Sequence, residues 1–294
     1  MRVLLLFIDG IGIGKNDPAS NPLARYQSRF LSIFSGAPLP HLPFDGIVIP
    51  TRADMGVPGL PQSATGQAAL FTGRNAAQEL GRHVSGLPTP TLRKIIAESS
   101  IFITVRALGK QGVFANALSQ EYFTRRGDWI SATTRALLAG GFPWLTMEDL
   151  RAGGAVSHDL TNEFLRQMGA EAPLRRPAES AHILARIARQ ADFTLFEFIL
   201  TDFVGHSRDM AAAQQLVQRL DILLQEVLAQ LDLNETTVIL TSDHGNFEDL
   251  NTKTHTKNHV PSCIWGAGRE LFNVPELRIE ELAGLMRKLL VQEA

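Results

Sequence analysis

The sequence predicts an α/β protein organised around a doubly wound, mainly parallel sheet, and three observations carry that prediction. Apolar runs lead into acidic residues: residues 2–8 into Asp9, residues 193–201 into Asp202, and residues 237–240 into Thr241-Ser242-Asp243. Continuous rather than alternating runs suit strands buried on both faces, as in parallel sheets. Residues 211–231, between two of these runs, are good helix formers, with Leu216, Leu220, Leu223, Leu224, Val227 and Leu228 at helical spacing. Strand, helix and strand in succession imply a parallel crossover. Finally, the three Asp residues fall at the ends of their runs, and open α/β sheets bind ligands at the carboxyl ends of their strands.

Taken in order, the expected strands are residues 2–8, 46–50, 194–201, 237–241 and 263–265. A loop rich in Gly and Pro, residues 56–61, precedes Gln62-Ser63-Ala64-Thr65-Gly66-Gln67 and a helix over 66–70. The last helix is expected over 279–292. The middle of the chain is broken differently, by Gly81, Gly86, Pro88 and Pro90, then Gly140-Gly141-Phe142-Pro143 and Gly153-Gly154. No ligand-type cluster falls there. Residues 1–81 and 191–294 are therefore read as the core, and 82–190 as an inserted small α/β cap over the rim.

Composition narrows the function classes. Hydrophobic residues make up 45% and charged residues 20%, as in ordinary globular proteins. A formal net charge of −2 gives no reason to expect a nucleic-acid or membrane partner. The single cysteine, Cys263, excludes an internal disulfide and is compatible with a reducing compartment. Asp9-Gly10 interrupts the first apolar run, which reads as a strand rather than a leader. A cytoplasmic protein is expected.

The candidate ligands are Asp9, Asp202, His206, Asp243, His244 and His255. Mixed carboxylate and imidazole ligands suit zinc or manganese better than calcium. Six exceed what one open catalytic zinc uses, so two ions sharing the set is the preferred reading. Paired cations suit in-line displacement at phosphorus. Ser63 and Thr65, at a helix start where free N–H groups favour phosphate, are the candidate nucleophiles. Arg82 and His83 are candidate substrate contacts, as are Arg125, Arg126, Arg175 and Arg176.

These motifs resemble the alkaline phosphatase superfamily of two-metal enzymes, particularly cofactor-independent phosphoglycerate mutase and phosphopentomutase. The resemblance rests on Asp9-Gly10, Ser63-Ala64-Thr65-Gly66-Gln67, Asp202-Phe203-Val204-Gly205-His206, Asp243-His244-Gly245 and His255-Thr256-Lys257-Asn258-His259-Val260-Pro261. It implies one Mn2+ or Zn2+ ion on Asp202, His206 and His255, and a second on Asp9, Asp243 and His244 with the Ser63 oxygen. Family register picks His255 over His259 and Ser63 over Thr65. Gln67 departs from the pattern, which has His there. The cap resembles that of phosphopentomutase only through residues 127–132. The resemblance implies phosphoryl transfer to Ser63 from a small phosphorylated substrate. Phosphatase or phosphoesterase activity is the leading expectation, with phosphomutase as the alternative and a non-catalytic metal-binding homologue as the rival.

Overall fold

A computed structural model describes residues 1–292. A seven-stranded sheet runs through it in the order β3-β4-β1-β5-β6-β2-β7. At its centre β1 (Arg2–Ile8) lies parallel to both β4 (Phe193–Phe198) and β5 (Thr236–Thr241). Short β3 (Gly112–Phe114) continues the parallel set beyond β4. On the other side β6 (Val260–Gly266) runs antiparallel to β5, β2 (Ile47–Arg52) antiparallel to β6, and β7 (Leu277–Arg278) parallel to β2. One reversed strand thus interrupts an otherwise parallel sheet, an arrangement common in large α/β sheets.

The apolar run of β1 is continuous because both of its faces are covered. Val3, Leu5 and Phe7 enter one core, and Leu4, Leu6 and Ile8 enter the other. On the first side the helices Ser63–Thr72, Pro90–Ser99, Ile101–Ala107, Ala132–Ala139 and Glu281–Val291 supply the apolar layer. Phe7 meets Phe71 edge-on at 5.8 Å there, and Phe102 meets Phe193 at 5.1 Å. On the second side the helices Pro177–Gln190 and Met210–Gln230 pack together against the sheet, burying the leucines whose spacing predicted the latter helix.

Four expectations need correction. The helix near the candidate nucleophile begins at Ser63, three residues early, with Gln62 as its cap position. Residues 199–201 do not extend the strand, because β4 ends at Phe198 and a helix, Leu200–Ser207, carries Asp202 and His206 one turn apart. The 82–190 segment does not stand apart as a cap. Its Phe114, Leu92, Phe102 and Leu137 share the main core with Val3 and Phe7, and its β3 is an edge strand of the sheet. Only Ala117, Leu150 and Ala155 form a separate small cluster. The strand expected over 46–50 reaches Arg52, passing through Pro50. That proline faces Pro261 across β6, beyond the pairing of β2 with β7 and of β6 with β5, so neither missing N–H breaks a ladder.

Among the described residues no helix is long and apolar enough to cross a membrane. Cys263 is fully buried on β6, and burial pushes its thiol far above the ordinary range. Native protein should therefore react with a thiol reagent no faster than it unfolds, with one equivalent reacting promptly in denaturant. Rapid labelling of the native state would contradict this packing.

Candidate metal centre

The candidate ligands reach one place because β1 and β5 are neighbours and the chain turns sharply after each. Asp9 follows the last residue of β1, and its N–H donates to the Phe198 carbonyl at 2.9 Å. Thr201 Oγ1 donates to the Asp9 carbonyl, tying this turn to the Leu200–Ser207 helix. Gly10 sits at φ +74°, and a Cβ there would lie 3.0 Å from Asp202, so only glycine lets these segments pass so closely. Beyond β5, Ser242 Oγ donates to the His244 carbonyl and accepts from the Ile11 N–H, both at 3.0 Å. Gly66 lets the Ser63–Thr72 helix approach the Asp243 backbone, since a Cβ there would lie 2.8 Å from the Asp243 carbonyl oxygen.

Two groups of ligand atoms result. In one, Asp202 Oδ2 lies 3.4 Å from His206 Nε2, Asp202 Oδ1 3.6 Å from His255 Nε2, and the two imidazole Nε2 atoms 3.3 Å apart. In the other, His244 Nε2 lies 3.4 Å from Asp9 Oδ1 and 3.6 Å from Asp243 Oδ2. Ser63 Oγ is 3.0 Å from the same His244 Nε2. The His244 and His255 rings stack at 3.6 Å, so His244 also lies within reach of the Asp202 and His255 pair. The two groups adjoin through it.

Surrounding groups fix the orientation of these side chains. His206 Nδ1 is 2.7 Å from the Lys253 carbonyl, and His255 Nδ1 is 2.8 Å from that of Pro61. A carbonyl can only accept, so each Nδ1 carries the proton and each Nε2 is left with a lone pair, the arrangement typical of metal-binding histidines. Asn246 Nδ2 donates to Asp202 Oδ1 at 2.9 Å, and Gln67 Nε2 to Asp243 Oδ2 at 3.1 Å. Beneath them lies Glu248, fully buried. Its carboxylate accepts from the N–H groups of Gly12 and Asn246, from Asn258 Nδ2 and from Thr256 Oγ1. This single side chain joins the loops that carry Asp9, Asp243, His244 and His255. A Cβ at Gly12 or Gly245 would overlap it.

The electrostatics call for positive charge. Burial, reinforced by Asp243, Asp202 and Glu197, holds the Asp9 carboxyl well above its usual range. Burial and then Asp202 push Asp243 up to about 7. Burial and then His255 push His244 down to about 3, leaving its ring neutral. Asp9 Oδ1 and Asp243 Oδ1 are buried with no protein hydrogen-bond partner. Unpartnered carboxylate oxygens beside a neutral His244 and two imidazoles tied through Nδ1 suit a divalent cation in each group.

The other candidates fall differently. Thr65 Oγ1 donates to the Gln62 carbonyl and accepts from the Val84 N–H, leaving Ser63 as the hydroxyl that faces the ligands. His259 pairs with Glu276 at 2.8 Å, away from the cluster. His83 lies against the 56–61 loop, with Nε2 3.2 Å from the Val57 carbonyl, and Arg82 is exposed beside it. Arg175 binds the carbonyls of Ala155 and Leu150, Arg176 pairs with Glu179, and Arg126 lies over Tyr122. Sequence reasoning missed Glu248 and also Glu197, a buried carboxylate held by Thr133 and His158. Glu197 breaks the apolar run of β4, and that break was its one visible signal.

The shifts set the sign of a pH effect. With its carboxyl raised from the ordinary 3.8 to about 7, folded Asp243 holds a proton that the unfolded chain has lost, so its contribution to stability falls as pH rises through that window. His244 acts oppositely, but only between about 3 and the ordinary 6.5. Between about pH 6.5 and 7 the His244 effect has ended while that of Asp243 still acts. The chelator-treated chain should therefore lose thermal stability over this range, and the rise in Tm on adding Mn2+ should grow. A metal-induced rise that shrinks with pH would contradict the assignment. Glu248→Ala should lower Tm at every pH, because it leaves four donors unpaired, at about 1–3 kcal/mol each when buried.

Part of this chain is similar in sequence to known metalloenzymes. Residues 173–289 match a family model described as the Metalloenzyme superfamily. The 2,3-bisphosphoglycerate-independent phosphoglycerate mutase of Mycoplasma pneumoniae is 38% identical over 78 residues, which are 24% of this chain and 15% of the mutase. The phosphopentomutase of Alkaliphilus metalliredigens is 34% identical over 70 residues, 23% of this chain and 18% of that enzyme. The matched stretch thus spans under a fifth of either relative's length. Over the whole fold, the alkaline phosphatase from the Antarctic bacterium TAB5 superposes with a TM-score of 0.54 at 14% identity, covering 98% of both chains. Residues 173–289 are thus similar to the metalloenzyme superfamily, and the chain as a whole has an alkaline phosphatase-like fold.

Proposed function

We propose that this chain is a two-metal phosphoryl-transfer enzyme, a phosphatase or phosphoesterase that acts on a small phosphorylated metabolite through a phosphoserine on Ser63. The observation that carries the proposal is the position of Ser63. Its hydroxyl lies 3.0 Å from His244 Nε2, in the first turn of a helix whose N-terminus no side chain caps. Backbone N–H groups and the positive end of the helix dipole there favour a phosphate.

Asp202, His206 and His255 would hold one Mn2+ or Zn2+ ion, and Asp9, Asp243 and His244 the other. When bound, such a pair supplies Lewis-acid polarisation of phosphoryl oxygens and makes the serine hydroxyl more acidic. The chain's own residues do the rest. Gln67 holds Asp243, Asn246 holds Asp202, and the carbonyls of Lys253 and Pro61 keep two imidazoles in one tautomer. Ser63 Oγ bonds to phosphorus as the bond to the ester oxygen breaks, and the proton that the Ser63 hydroxyl gives up is matched by the one the departing oxygen takes to leave as an alcohol. Water then cleaves the phosphoserine, releasing inorganic phosphate and restoring the hydroxyl.

Hydrolysis is favoured over a mutase reaction because the rim is open to water. The His206 side chain is 43% exposed, and the helices Pro90–Ser99, Ile101–Ala107 and Ala132–Ala139 pack into the main core rather than into a lid. A mutase must keep water from its intermediate. Gln67, bound to Asp243 where the mutase pattern has His, points the same way. An intact nucleophile and ligand set argue against a purely binding role.

Ser63→Ala should lower turnover of a general phosphate ester on the order of 10³-fold or more, the scale of losing a nucleophile, while metal content stays unchanged. Thr65→Ala should cost far less. Labelled substrate quenched during a single turnover should leave phosphate on the peptide containing Ser63. Label on Thr65 would move the nucleophile, and no covalent label would favour direct attack by water.

A further inference from the structure

The site is sealed on most sides. Asp243 and His244 are fully buried, and the His255 and Asp9 side chains are 6% and 12% exposed. Asp202 and His206 are the open ones, at 19% and 43%, and both stand on the Leu200–Ser207 helix. The Leu200–Ser207 helix is thus an exposed edge of the site, with Ser63 also part-exposed. Phe203 stands on this helix. It follows Asp202 directly, about 100° further around the helix axis, and is 57% exposed.

Phe203 has one aromatic neighbour, Phe164, with ring centroids 6.2 Å apart and planes tilted by 36°. A rigid turn presents Phe164. Asp159, buried, accepts from Ser157 Oγ at 2.6 Å, Thr161 Oγ1 at 2.8 Å, the Asn162 N–H at 3.0 Å and the Phe164 N–H at 2.9 Å. Arg219 Nη1 adds a donor to Thr161 Oγ1 at 3.2 Å. Leu160 and Asn162 both hold φ +65°, which asparagine adopts readily but leucine rarely does. An ordered turn thus holds Phe164 beside the exposed ring of Phe203.

We infer that Phe203 and Phe164 form an aromatic platform at this exposed edge of the site, and that the favoured substrate is a phosphate ester with a planar aryl or nucleobase ring close to its phosphate. The inference rests on the phosphoryl-transfer reading and deepens it. An offset or tilted ring on this platform gains contact energy beyond area burial, while an alkyl ester gains none of it. Phe203 acts here in specificity, with no part in bond making or breaking.

Two non-hydrolysable probes, phenylphosphonate and methylphosphonate, test this by calorimetry on the full-length, manganese-loaded chain. The phenyl compound should bind tighter by about two- to tenfold, the span aromatic pairs contribute. Phe203→Ala should bring the two probes to the same affinity, and Phe164→Ala should narrow the gap. Phe203→Leu keeps apolar bulk without a ring and should also abolish the preference, which separates ring stacking from bulk. Equal affinities in the unaltered chain, binding of neither probe, or an unchanged preference in Phe203→Ala would each overturn the inference. Turnover of phenyl phosphate against a nucleoside monophosphate then shows which ring source is used. A phenyl preference without turnover of any ester would keep the platform and remove the phosphoryl-transfer reading. Equal turnover of aryl and alkyl esters would do the reverse.

Discussion

Three carboxylates are forced together at the buried end of the sheet, and the rest of the site is built around their repulsion. Asp9 and Asp243 end adjacent parallel strands, and Asp202 is brought over them by the next helix. Like charges in a medium of low dielectric cannot all ionise without a partner. Burial first and the neighbouring carboxylates second hold Asp9 and Asp243 above their ordinary range, and among the described residues one oxygen of each lacks a donor. The fold supplies neutral imidazoles in place of ammonium or guanidinium groups. His244 is kept uncharged by burial, and His206 and His255 present Nε2 lone pairs. Among the described residues, the arrangement leaves Asp9 Oδ1 and Asp243 Oδ1 buried without a donor.

Glu248 answers the same problem in the opposite way. It too is a buried carboxylate, but four donors from three loops saturate it, so it serves as a fixed joint instead of a ligand. Glu197 is intermediate, sharing a hydroxyl from Thr133 and lying 3.6 Å from His158. Which buried acids are saturated and which are left open therefore separates scaffold from site. The glycines at positions 10, 12, 66 and 245 follow from that crowding, since each leaves room for an acidic residue or its backbone.

Much of this was legible in the sequence because parallel strands buried on both faces leave an unambiguous apolar signature. The strand 2–8 was read to the residue, and the Met210–Gln230 helix to within one. The strand-to-helix change after Phe198 was hidden, since Ile199, Leu200 and Thr201 suit a strand as well as a helix. The i, i+4 spacing of Asp202 and His206 was the clue to a helix. The cap was misread because Gly and Pro punctuation marks turns and says nothing of which core the intervening helices join. Their amphipathic faces fit the main core, where Leu92, Phe102 and Leu137 are fully buried. Glu248 was invisible because its role depends on loops distant in sequence. The choice between hydrolase and mutase lies deeper still, because one fold hosts many reactions and loop architecture decides among them.

The central claim is that the acidic rim is completed by two divalent ions divided between the Asp202 and Asp9 groups. Metal content measured on chelator-stripped protein after Mn2+ is restored tests it most directly, alongside Asp243→Asn and His206→Ala. Two ions per chain, falling to one in either variant with circular dichroism unchanged, is the predicted result. A single ion in the unaltered chain, or metal content that neither substitution lowers, would contradict it.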